Sequence, residues 1–255
     1  MRTYCASTLP FSPYPLTEFV GELSEGGVSA IELSQTHFSD VEAETIATLQ
    51  AQTGLHFKSL LSTVKIDATD GFESQISILD TAKRLSVPIV SIASGGTEDA
   101  TENEIDNIIE LLRTLTIEAK SRNLMLSLYA HEGSLVYNLE RTQKIFDAIS
   151  EDNFGFYYSP FHFHLAGDDP VIALRTLSER LNNIYFNCGV DSQTGSEPFW
   201  GPEMDFKGIC KEIERIGYER EIMLIYLGLK VDSPQPIVKG VLNARAMLEV
   251  FFNDL

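Results

Sequence analysis

Cations are scarce in this chain. Its 255 residues hold 19 lysines and arginines against 37 aspartates and glutamates, a formal net charge of −18. A field of that sign repels phosphate backbones and anionic lipid, so nucleic acid and membrane surfaces are poor partners. Cysteine is sparse as well. Cys5, Cys188 and Cys210 are odd in number and lack metal-ligand spacing, so a disulfide scaffold is not expected and a reducing cytoplasm fits. Long apolar runs are missing too: none approaches the roughly 18 residues of a membrane span. The opening MRTYCASTLPFSPYP has no continuous apolar stretch of the secretory kind. No shift in composition marks a linker. One domain over residues 1–255 is expected, a length that suits an α/β barrel of about 250 residues.

What is present is an alternation. Short apolar runs of strand type occur at Thr3 to Thr8, Val28 to Leu33, Phe57 to Val64, Pro88 to Ala93, Leu124 to Leu128, Phe154 to Tyr158, Ile184 to Cys188 and Glu221 to Leu227. Helical stripes lie between them. Leu16, Phe19, Val20 and Leu23 recur at i, i+3, i+4, i+7, and Ile105, Ile108, Ile109, Leu112 and Leu115 make the clearest stripe. Start and stop signals agree. Ser39 with Glu42 and Thr101 with Glu104 have capping-box spacing, Gly54 suits a C-cap, and Asp169 precedes Pro170 as N-cap and first helical residue. Eight strand-then-helix units imply a parallel sheet closed into a (β/α)8 TIM barrel. The one long irregular segment expected is Gly189 to Asp205, which contains Trp200 and reads as a lid over the barrel mouth.

Ligands of such barrels bind where loops leave the carboxyl ends of strands. LMLSLYAHEGSLVYN, Leu124 to Asn138, has that form: an apolar strand breaking into a polar turn with glycine. With VSAIELS, YYSPFHFHLAGDDP and FKGICKEIERIGYEREIMLI in matching order, the chain resembles the sugar phosphate isomerase/epimerase family, the xylose-isomerase-like TIM barrels. The resemblance covers nearly the whole chain. It implies a small sugar, polyol or sugar acid as ligand, and isomerase or epimerase chemistry.

The family holds a divalent metal by Glu, Asp, His and Glu from four strand ends. Here those positions read Tyr129, Ser159, Tyr185 (or Phe186, one register away) and Ile225, so no metal or other cofactor is expected. His131 and His162 remain beside the replaced ligands and are the candidate catalytic residues, since imidazole exchanges protons near neutral pH. Tyr129, Ser159, Tyr185, Asn187, Trp200 and Glu32 are the candidate substrate-binding residues. Strand parity puts Ser127 and Tyr157 on the inner face below Tyr129 and Ser159. His162 and His164 form an H-x-H pair that would share a strand face, but inner carboxylates to complete a metal site are not evident. Gly95-Gly96-Thr97 has the form of a phosphate cradle or of a plain turn. Two functions follow: a degenerate or metal-independent enzyme on a sugar-like substrate, or a pseudoenzyme that binds a small ligand or a protein partner. Oligomeric state is not legible in the sequence.

Overall fold

The computed structural model describes residues 2–66, 71–191, 195–199, 201 and 203–254. In chain order the elements are β1 Tyr4–Ser7, α1 Val20–Glu25, β2 Ala30–Ser34, α2 Gln35–Phe38, α3 Ala43–Thr53, β3 His56–Leu61, α4 Gly71–Leu85, β4 Ile89–Ala93 and α5 Glu102–Ser121. There follow β5 Met125–Tyr129, α6 Leu139–Ala148, β6 Phe154–Tyr158, α7 Pro160–Leu165, α8 Pro170–Leu177, β7 Leu181–Asp191, β8 Gly195–Phe199, α9 Phe206–Arg215, β9 Ile222–Leu227 and α10 Gln235–Asn253. Eight strands, β1 to β7 with β9, are those of a closed parallel (β/α)8 barrel. By internal packing the chain falls into two compact units, residues 59–182 and residues 1–58 with 183–255.

In the unit of residues 59–182, β4 pairs in parallel with β3 and β5, and β5 with β6. Leu128 stands opposite Phe156 and Tyr129 opposite Tyr157. Because side chains alternate across a strand, these two pairs point to opposite faces. Phe156 packs edge-on against Phe146 of α6, with ring centroids 5.7 Å apart. Tyr129 and Tyr157 therefore take the face away from the helices, as strand parity predicts. Gly155, opposite Ser127, has to be glycine: a Cβ there would lie 2.3 Å from Nδ2 of buried Asn182.

In the other unit, β1 pairs with β2 and β9, and β9 with β7, all in parallel. Phe186 packs toward Phe199 and Phe206, with centroids 5.7 and 6.3 Å away. Tyr185 and Asn187 are thereby sent to the opposite face. The segment Gly189 to Asp205 is not wholly irregular. β7 runs on to Asp191, and Gly195–Phe199 folds back on it as antiparallel β8. The β7–β8 pairing shifts register between Cys188 and Gly189, and Gly189 is needed there, with φ +119° and a Cβ that would fall 2.0 Å from the Leu227 carbonyl oxygen.

Capping follows the sequence in part. The Thr101–Glu104 box forms with both of its hydrogen bonds, Asp169 caps α8, and Gly54 closes α3 at φ +71°. The Ser39–Glu42 box does not form. The helix begins at Ala43, with Glu42 as its N-cap, because Gln35–Phe38 coils separately into α2 and uses Ser39 as its own C-cap. Among the described residues no helix is long and apolar enough to cross a membrane. The three cysteines are free and buried.

Candidate functional site

The loop after β5 is built to hold its side chains still. Val136 O accepts from His131 N–H at 3.0 Å, and His131 O accepts from Ser134 N–H at 3.2 Å and from its hydroxyl at 2.6 Å. Two neighbouring segments clamp the turn from outside. Leu135 N–H donates to Gly95 O at 3.2 Å, Val136 N–H to Ser94 Oγ at 2.9 Å, and Gly133 N–H to Glu98 Oε1 at 2.8 Å. Gly133 sits at φ +71°, the left-handed conformation glycine enters without strain. Gly95-Gly96 is thus a turn that braces this loop rather than a phosphate cradle. The amides at the head of α5 are capped by Thr101 instead.

His162 comes from α7, not from a strand extension. Pro160 opens that helix, and Phe163 anchors it by packing 5.8 Å from Phe156 and 5.6 Å from Tyr158. Two residues along a helix swing the side-chain direction by about 200°, so His162 and His164 point to opposite sides and the shared strand face expected for the H-x-H pair does not arise. His162 is buried, 3% exposed, and meets Glu132 instead.

Glu132 is the residue sequence reasoning missed. His162 Nδ1 donates to Glu132 Oε2 at 2.5 Å, and the same oxygen lies 3.5 Å from His131 Nδ1. His131 Nδ1 also donates to the Glu132 backbone oxygen at 2.7 Å. The two imidazole rings are 4.4 Å apart, and the Tyr129 ring is 6.2 Å from His131 and 5.7 Å from Tyr157. Both Nδ1 atoms act as donors to oxygen, which fixes each neutral ring with its lone pair on Nε2. One potential ligand atom from each of His131, Glu132 and His162 lies within 4.8 Å of the others. A carboxylate therefore stands beside His162, contrary to the expectation for the H-x-H pair. Its sequence signal is the H-E dipeptide in the loop after β5, its glutamate three residues beyond Tyr129.

Electrostatics in the cluster follow from burial and pairing. Desolvation by itself would raise the Glu132 carboxyl, but the His162 hydrogen bond and the two imidazoles outweigh it and hold the pKa below the usual carboxylate range. Burial lowers the His162 pKa against the opposing pull of Glu132, so the ring is neutral at pH 7. The result is an ionised carboxylate bridging two imidazoles. His131 and Glu132 have side chains 42% and 40% exposed, and His162 is closed in behind them.

The remaining candidates are distributed as follows. Ser159 is buried at the N-cap of α7, next to the helix that carries His162. Tyr185 and Asn187 are buried in β7, with Asn187 Nδ2 3.3 Å from the Tyr185 hydroxyl. Glu32 is fully buried in β2 opposite Ser7, in the other packing unit. Trp200 lies outside the described residues. At the four positions where the resemblance implies metal ligands, Tyr129 and Tyr185 are phenols, Ser159 is a hydroxyl and Ile225 is a buried alkyl group. Alkyl carbon has no donor atom, and neutral hydroxyls leave a dication's charge unbalanced. This set does not fit a divalent cation.

No curated protein matches the chain in sequence. Among solved structures, the probable 3-DHS dehydratase AsbF of Bacillus anthracis superposes with TM-score 0.80 at 16% identity, covering 96% of this chain and 98% of that one. The IOLI protein with a bound zinc atom gives TM-score 0.79 at 15% identity, with 99% and 98% covered. D-psicose 3-epimerase, solved in the presence of D-fructose, gives 0.79 at 12% identity, with 98% and 99% covered. At such identities the likeness establishes the fold alone. The family model described as xylose isomerase-like TIM barrel matches residues 10–245, and the chain belongs to that family.

Proposed function

We propose that the protein is an isomerase- or epimerase-type enzyme for a small sugar, polyol or sugar acid, bound at the carboxyl ends of β5 and β6. One observation carries the reading: Glu132 bridges His131 and His162, an ionised carboxylate in contact with two imidazoles. Isomerisation and epimerisation both begin by removing a proton from the carbon next to a carbonyl. That proton returns to the neighbouring carbon or to the opposite face of the same one. His131 is the exposed imidazole, and its Nε2 lone pair takes the proton. Glu132 stabilises the imidazolium that forms, as a carboxylate behind a catalytic histidine does. His162 is a positioning residue that holds Glu132 through the 2.5 Å bond. The Tyr129 phenol donates to the oxygen on which negative charge develops.

In this reading the family's four-ligand cation site is lost at Tyr129, Ser159, Tyr185 and Ile225. The epimerase names of two structural relatives, D-psicose 3-epimerase and L-ribulose 3-epimerase, support a sugar-like ligand. The single domain 1–255, a cytoplasmic site of action and a lid at Gly189 to Asp205 belong to the same proposal. Its test is turnover across ketoses, sugar phosphates and keto acids by wild type and His131→Ala. Conversion of one class by wild type and its loss in the variant is the expected result. No turnover with any member, or turnover indifferent to His131→Ala, overturns it. The replacement of every carboxylate of the presumed metal set favours a second reading, a non-catalytic ligand-binding protein. Ligand-induced thermal stabilisation without turnover is its signature.

A further inference from the structure

We infer that His131, Glu132 and His162 form a binding site for one divalent transition-metal ion, displaced from the positions the family uses. The inference rests on reading this cluster as the working site and adds a ligand class to it. Three observations carry it. Two imidazoles and one carboxylate each bring a ligand atom to within 4.8 Å of the others, and three is the protein-ligand count of catalytic zinc sites that keep an open position. The donors are nitrogen with one oxygen, a set that suits zinc, cobalt(II) or nickel(II) and not magnesium or calcium, which take oxygen ligands. The backbone is preorganised as well. The hydrogen bonds from Gly133 to Glu98, Val136 to Ser94 and Leu135 to Gly95 fix the loop that carries two of the ligands, and Phe163 anchors the helix that carries the third.

Loading needs only local rearrangement. A ring that binds through Nδ1 first moves its proton to Nε2, and the hydrogen bond between His162 Nδ1 and Glu132 Oε2 gives way to coordinate bonds. The charge needed is already in place, because one carboxylate and two neutral rings leave a site with net charge +1 around a dication. An imidazole bound to metal through its lone pair no longer accepts a proton. The metal-loaded cluster and the unaided proton carrier of the preceding section are therefore alternative states of the same three side chains.

The test is metal binding to the full chain without any sugar. Protein stripped with EDTA is dialysed against micromolar cobalt(II) and then zinc(II), with metal counted by elemental analysis and cobalt followed by its visible absorption. The expected result is one cobalt per chain with d–d bands of an N/O site, displaced by zinc. Glu132→Gln and His131→Gln should each weaken binding by at least about ten-fold, the scale of losing even an outer partner of a metal site. His131 is half-exposed, so His131→Gln remains informative if His162→Gln folds poorly. His56→Gln, at a histidine–carboxylate pair elsewhere in the chain, should leave binding unchanged. Substoichiometric cobalt, or binding that survives both Glu132→Gln and His131→Gln, overturns the inference. Such a failure leaves the proton-transfer reading intact, and a failure of turnover leaves the metal site standing.

Discussion

Two carboxylates in this molecule each face two nitrogen-bearing side chains, and they do opposite things. Glu221 stands at the amino end of β9. Its Oε1 lies 2.8 Å from His56 Nε2, and its Oε2 lies 2.9 Å from the ammonium of Lys58, which is 5% exposed. The hydrogen bond from His56 and the Lys58 charge outweigh desolvation and drive its pKa far below the carboxylate range. Glu132 follows the carboxyl end of β5 and has two imidazoles for neighbours, neither with a permanent charge. A lysine partner locks a carboxylate into one ionisation state, which suits structure. Imidazole partners exchange protons and lone pairs near neutral pH, which suits chemistry. The ends of the strands divide the same way. In TIM barrels the amino end carries stability and the carboxyl end carries function.

Breaking the structural pair should have the largest effect. Glu221→Ala strands the buried Lys58 ammonium and is expected to cost about 3 kcal/mol in urea unfolding, the lower end for an uncompensated buried charge. Equal stability of Glu221→Ala and wild type would show that Lys58 finds other partners and that the contrast is false.

Acid should separate the two clusters next. The folded pKa of Glu221 is depressed, so its stabilisation is complete above the unfolded carboxyl value of about 4.3 and is lost as pH falls from there toward the folded value. His162 is depressed too, from an unfolded value of about 6.5, so stability in metal-free protein already falls as pH drops below that value. Urea midpoints against pH should show two descending steps. His162→Gln should flatten the one that begins below about pH 6.5, and Glu221→Gln the one below about pH 4.3. A single step unaffected by His162→Gln would contradict the burial of a neutral imidazole.

Smaller effects belong to the Glu132 cluster. His162→Gln is expected to cost about 1–2 kcal/mol, since it leaves a buried polar site imperfectly bonded. Glu132→Gln should cost under about 1 kcal/mol, because its side chain is 40% exposed and solvent screens its interactions. A Glu132→Gln loss as large as that of Glu221→Ala would make Glu132 a structural residue.

Legibility in the sequence divides along similar lines. Strands and helices were readable because period-2 and period-3.6 apolar patterns are local, as were the Thr101 and Asp169 caps. The Ser39 cap failed because a single turn, α2, competes for the same residues. β8 was hidden because GSEPF carries little strand propensity, and its pairing with β7 is tertiary. At the site, strand parity gave the inner face of Tyr129 and Tyr157. The Glu132–His162 bond joins residues 30 apart in sequence, on a loop and on a helix that α7 starts immediately after β6. No periodic pattern announces such a contact. A family comparison that looks only at the expected ligand positions passes over it.

Proton exchange tests the Glu132 cluster most directly. Wild-type protein incubated in D2O with the ketose, sugar-phosphate and keto-acid panel should place deuterium on the carbon next to the carbonyl of one class, read by proton NMR. Incorporation should disappear in Glu132→Gln and persist in His56→Gln. Deuterium on no member of the panel, or incorporation that survives Glu132→Gln, would contradict the claim that the imidazole–carboxylate cluster after β5 is the working site of this barrel.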